Sequence, residues 1–165
     1  MSWWTRGVVA FAAVTVLAGC SGGPPEIHAA DMSEEDAAAC RDFVAALPDT
    51  LAGQESVEVD GDTEYGAAWG DPAIVLTCGV EEPREFSDTS TCIAVKKTGW
   101  FVPDDVFEDM FEGDDTTDVP MTEMNYRPRI HVELPGEYRP DGFPNTAGAL
   151  ADLIEADLEK VGTCL

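Results

Sequence analysis

Four cysteines, Cys40, Cys78, Cys92 and Cys164, limit the folds open to this chain more than any other feature. A fifth, Cys20, closes an apolar N-terminal run and is treated separately below. An even number of cysteines behind an export-type N-terminus reads as two disulfides. Their successive separations of 38, 14 and 72 residues match no zinc pattern, and no Cys-x-x-Cys occurs. Hydrophobic periodicity helps to choose among the three possible connectivities. Ser33-Glu34-Glu35-Asp36 is a capping-box-like helix start. Ala37, Cys40, Val44 and Leu47 then recur at helical steps until Pro48, which puts Cys40 on the apolar face. In the strand Ala73–Val80, the side chains of Ile74, Leu76, Cys78 and Val80 share one side. A helix packed on that side pairs Cys40 with Cys78. In the strand Thr91–Lys96, Ile93 and Val95 make the apolar side, so Cys92 points the other way and is free to meet Cys164. The rival Cys78–Cys92 bridge, within one hairpin, stays open on these grounds.

The N-terminus carries an address. Arg6 and the amino group supply positive charge, and the apolar run Gly7–Ala18 follows. That run is about 12 residues, where a bilayer span needs about 20, so it reads as a signal segment. It ends in Leu17-Ala18-Gly19-Cys20, which resembles the lipobox of bacterial lipoproteins. The resemblance implies a diacylglyceryl group on Cys20 and cleavage just before it. Two or more acyl chains anchor a protein stably to a membrane. Residues 1–19 are therefore read as signal peptide, 20–32 as lipidated cysteine and flexible tether, and 33–165 as one domain. The expected location is the outer face of the cytoplasmic membrane, with the membrane itself a partner through the lipid on Cys20.

The remaining pattern points to an α+β domain. Short strands are expected at Glu55–Val59, Gly99–Val102 and Arg127–Leu134, with a weaker one at Thr117–Asn125 around Pro120. In the clearest of these, Ile130, Val132 and Leu134 alternate with Arg129, His131 and Glu133. A terminal helix is expected over Thr146–Val161, with Leu150, Leu153, Ile154, Leu158 and Val161 as its stripe. Without regular βαβ alternation, the expectation is a mainly antiparallel sheet with an N-terminal and a C-terminal helix on one face.

Four stretches carry a family resemblance. They are Cys40-Arg-Asp-Phe-Val-Ala-Ala-Leu47-Pro48, Ala67-Ala-Trp69-Gly70-Asp71-Pro72-Ala-Ile-Val-Leu-Thr-Cys78-Gly79-Val80, the pair Gly99-Trp100, and Arg127-Pro-Arg-Ile-His-Val-Glu-Leu134-Pro135. In these the chain resembles the actinobacterial lipoprotein family known as domain of unknown function 3515. The resemblance implies that Cys40 and Cys78 belong to the shared pattern, while Cys92 and Cys164 are additional and pair with each other. It implies no activity.

Composition excludes some partners. With 33 acidic residues against nine Lys and Arg, the formal net charge is −24. Nucleic acid and anionic lipid headgroups both call for clustered cations, so neither is an expected ligand. No Gly-x-Ser-x-Gly, His-Glu-x-x-His or phosphate-cradling glycine loop occurs, so no catalytic residue, metal or cofactor is expected. Of the two histidines, His28 falls in the tether and His131 on the polar side of its strand, where a solvated surface role is expected. Asp60-Gly-Asp62-Thr-Glu64 mimics a calcium loop but has Tyr65 where the loop wants glycine, and reads as a polar turn. Asp104–Asp118 holds eight acids and reads as a solvated loop. Val106, Phe107, Met110 and Phe111 offer a short amphipathic helix there as the alternative. The remaining ligand-site candidates are Trp69, Trp100 and Tyr126 with Arg127: sheet-flanking aromatics of this kind read first as core or staple residues, and the functional alternative is an aromatic groove with one cation suited to a sugar or carboxylate. Two functions follow. The first is a non-enzymatic envelope lipoprotein binding an envelope protein or a cell-wall ligand. The alternative is a carboxylate-dependent cell-wall glycan hydrolase.

Overall fold

The computed structural model describes residues 22–87, 89–112 and 116–164. The signal segment 1–19 and Cys20 lie outside the described residues. In chain order the elements are β1 (Glu26–Ile27), α1 (Glu34–Ala45), β2 (Thr50–Leu51), β3 (Gln54–Val57), β4 (Asp60–Gly61), β5 (Gly66–Trp69), β6 (Ile74–Cys78), β7 (Cys92–Val95) and β8 (Thr98–Phe101). Then come α2 (Asp104–Glu112), β9 (Val119–Glu123), β10 (Tyr126–Arg127), β11 (Ile130–Leu134), α3 (Gly142–Asp157) and β12 (Glu159–Lys160). Eight strands form one antiparallel sheet in the order β2-β3-β5-β6-β11-β9-β8-β7. This is the α+β class expected from the sequence.

The central strands follow from their alternation. Ile130, Val132 and Leu134 of β11 are buried, and the register sets Ile130 beside Cys78 and Val132 beside Leu76. The main core fills that face of the sheet, with Cys40 and Phe43 of α1 and Leu150 and Ile154 of α3 packed into it. Ser33 starts α1 as its N-cap, its hydroxyl accepting from the Asp36 amide at 3.1 Å. Glu34, Glu35 and Asp36 place negative charge at the positive end of the helix dipole. Cys40 and Cys78 are bonded in this core, and Cys92 is bonded to Cys164. Both expected disulfides are therefore present, and the Cys78–Cys92 rival is excluded.

The opposite face carries a smaller cluster. Cys92, Phe101 and Met124 are buried there, with Phe86 and Cys164 packed against them. Phe86 meets Phe101 edge to face, with ring centroids 5.3 Å apart. Adjacent residues divide between the two faces: Trp100 belongs to the main core and Phe101 to the small cluster. The C-terminal tail crosses the end of this region. β12 pairs with β10, and the amide of Cys164 donates to Asn125 Oδ1 at 2.6 Å. A Cβ on Gly99 would meet the Cys164 carbonyl oxygen at 2.8 Å, which explains the glycine of the Gly99-Trp100 pair.

Three expectations need correction. Residues 26–32 are packed into the fold, where a free tether was expected. β1 pairs with β4, Ile27 is fully buried, and the Ala30 amide donates to the Gly79 carbonyl at 2.9 Å. The acidic Asp60–Glu64 turn receives this segment, with Asp62 Oδ2 accepting from the Ala29 amide at 3.2 Å. Gly79, at φ +82°, is where a Cβ would collide with the Met32 sulfur. The acidic run is the second correction. Over Asp104–Glu112 it forms α2, because Val106, Phe107 and Met110 reach the main core and Asp104 and Asp105 sit favourably in the first turn. Finally, α3 starts at Gly142 and stops at Asp157. Leu158 caps it in an extended conformation, the chain turns into β12, and Val161 is exposed instead of joining the stripe.

Candidate functional site

The aromatic groove does not form. Trp69, Trp100 and Tyr126 are 1%, 0% and 3% exposed, and all three belong to the main core. Trp69 of β5 and Trp100 of β8 stand four strand positions apart, or about 19 Å at the usual strand spacing. The indole of Trp69 donates to the Pro48 carbonyl at 2.9 Å, and that of Trp100 to Thr98 Oγ1 at 2.8 Å. These are satisfied core residues, as buried polar atoms usually are.

Arg127 is different. It lines two adjoining clefts, of about 410 and 220 Å³, and Arg129 lines both with it. The two arginines stand two residues apart, on either side of Pro128, between the end of β10 and the start of β11. Sequence reasoning placed Arg129 on the polar side of its strand but did not group it with Arg127. The larger cleft adds Ser87, Ser90 and Thr163, and its carboxylate is Glu82. The smaller adds Asp31, Asp36 and Glu81. Arg129 is 12% exposed and ion-paired to Glu82, while its Nε is buried without a partner. Arg127 donates to the Tyr126 carbonyl at 2.8 Å and has no ion pair among the described residues. Burial lowers the pKa of Arg127 below the ordinary guanidinium value and repulsion from Arg129 adds to it, against the pull of Glu82, Glu123 and Asp36. Burial lowers that of Arg129 as well, against the pull of Glu82. Two cations are thus held together in a partly desolvated place.

Glu123 fixes the turn that presents them. Its carboxylate is fully buried in the β9–β10 turn. One oxygen accepts from the amides of Gly99 and Asn125 at 3.0 and 3.1 Å, and the other accepts from the Tyr126 amide at 2.8 Å. Burial raises its pKa above the ordinary carboxyl value, opposed by these three backbone donors. No pattern in the sequence marks this residue among 33 acids.

A third cleft of about 570 Å³ lies on the polar face of the sheet. Phe101, Val106 and Pro103 give it an apolar part, and Glu81, Glu85 and Asp105 an acidic one. His131 and Thr122 also line it. They are opposed across β11 and β9, with Thr122 Oγ1 2.8 Å from His131 Nδ1. His131 Nε2 lies 2.8 Å from Glu133 Oε1. His131 is therefore half-buried and held on both nitrogens, where a solvated residue was expected.

Fold and clefts together define a disulfide-stapled α+β domain with one apolar and one polar sheet face. The profile of a family described as a protein of unknown function (DUF3515) matches residues 4–162. The chain belongs to that family. No curated protein and no solved structure matches it.

Proposed function

We propose that this protein is a lipid-anchored, extracytoplasmic binding domain of the bacterial cell envelope, without enzymatic activity. The observation that carries the location is the division of the cysteines. Four of the five pair among themselves, which leaves Cys20, at the end of the lipobox-like run, as the one for acylation. Disulfides also favour an oxidising compartment. Among the described residues no helix is long and apolar enough to cross a membrane, so anchoring falls to the lipid. The binding role rests on the arginine-lined clefts beside the β9–β10 turn. The test is fractionation of expressing cells. The full chain is expected with the membranes, and Cys20→Ser is expected to move it to the soluble fraction. Wild-type protein found in the soluble fraction overturns the anchored reading.

A second reading, the carboxylate-dependent glycan hydrolase, is favoured by Glu81, Glu85 and Asp105 around one cleft. Turnover of a wall-glycan panel that disappears in Glu85→Gln would replace the first reading with this one.

A further inference from the structure

The two arginine clefts differ in charge. The smaller one sets three carboxylates, Asp31, Asp36 and Glu81, against the pair and so repels an anion. In the larger one the carboxylate among the lining residues is Glu82, already bonded to Arg129. Arg127 makes no ion pair there among the described residues, although Glu82, Glu123 and Asp36 act on it at longer range, and Ser87, Ser90 and Thr163 line the same space. A chain with net charge −24 repels anions in general. Two arginines on one cleft, one with no ion pair among the described residues and the other with a buried Nε that has no hydrogen-bond partner, are therefore a local exception. Guanidinium forks match carboxylate and phosphate oxygens in paired hydrogen bonds.

We infer that the cleft lined by Arg127, Arg129, Ser87 and Ser90 binds a small oxyanion group, a carboxylate or a phosphate, with Arg127 as its main charge partner. This deepens the binding-domain reading and rests on it for the location of the ligand.

The test is calorimetric titration of the full chain in detergent, disulfides intact, with inorganic phosphate and separately with succinate. Saturable binding is expected, weakened at least tenfold in Arg127→Gln and unchanged in Arg41→Gln, an exposed arginine on α1. Arg127→Lys, which keeps the charge and loses the fork, is expected in between and guards against a variant that fails to fold. Tighter phosphate binding identifies a tetrahedral anion as the ligand group, and tighter succinate binding a carboxylate. No saturable binding of either anion, or binding that Arg127→Gln leaves unchanged, overturns the inference. An anchored protein that holds another wall component but neither anion overturns this inference alone. A chain that does not fractionate with membranes overturns the anchored reading and leaves the anion result standing.

Discussion

The two faces of the sheet use a disulfide for different ends. Under α1 and α3, Cys40–Cys78 sits at the centre of a continuous apolar core, both sulfur-bearing residues fully buried. On the other face, Cys92–Cys164 belongs to a small cluster and staples the C-terminal tail beside the arginine cleft. The first face is where burial stabilises the fold. The second leaves polar groups accessible in clefts, with a crosslink holding the tail where little apolar surface covers it.

The sharpest way to break this comparison is to remove each bridge. Loop-closure arithmetic gives about 4 kcal/mol for either, slightly more for the longer loop of Cys92–Cys164. The structure predicts the opposite order. The double variant Cys40→Ala, Cys78→Ala also loses packing at the centre of the core, so its cost should exceed 4 kcal/mol. Without Cys92–Cys164 the tail can fray in the native state, which offsets part of the loss and keeps the cost below about 4 kcal/mol. Denaturant unfolding of both variants checks the order, and equal or reversed costs would show that the faces do not differ in this way.

Glu123→Ala comes next. It leaves three backbone N–H groups of Gly99, Asn125 and Tyr126 without their acceptor, at an expected cost of about 3 kcal/mol. The same residue gives a pH test. Its folded-state pKa is raised, so the fold holds the proton more tightly than the unfolded chain does. Its contribution is full below the ordinary carboxyl value and declines as pH rises through the raised one. Glu123→Gln should flatten that part of the stability profile, on the alkaline side of the ordinary carboxyl value. A wild-type and a Gln profile that run parallel would remove this role.

Ile27→Ala is expected to cost about 2–4 kcal/mol, as for a buried aliphatic side chain. A free tether would give no change, so thermal unfolding of this variant decides whether residues 26–32 belong to the domain. Thr122→Val is the smallest effect, about 1 kcal/mol for the lost hydrogen bond to His131. It should perturb the His131 ring resonances while leaving the main-core signals in place.

What was legible in the chain was whatever repeats. The alternation in Ile74–Cys78 and the helical steps through Cys40 pointed to Cys40–Cys78, and the alternation in Thr91–Lys96 together with the family resemblance pointed to Cys92–Cys164, with the Cys78–Cys92 rival left for the fold to exclude. The misses lack a repeat. Ile27 is one apolar residue in a polar segment, and β1 is two residues long, so nothing local announces that it docks. In α2 the apolar stripe was visible as an alternative, but the eight acids of the Asp104–Asp118 region favoured a solvated loop over the helix that forms. Trp69, Trp100 and Tyr126 drew attention as aromatics near strand ends, yet size made them core, as large rings usually are. The arginine cleft was half visible. Arg127 was singled out, but its grouping with Arg129 across Pro128, and with Ser87 and Ser90 of an irregular loop, is set by the fold alone.

The central claim is that stability and binding belong to different faces. It is tested most directly by measuring both quantities on Arg127→Gln. The account predicts at least a tenfold loss of phosphate or succinate affinity with unfolding free energy changed by no more than about 1 kcal/mol, the scale of its one hydrogen bond to the Tyr126 carbonyl. Unchanged affinity, or a stability loss of several kcal/mol, would contradict it and return Arg127 to the scaffold.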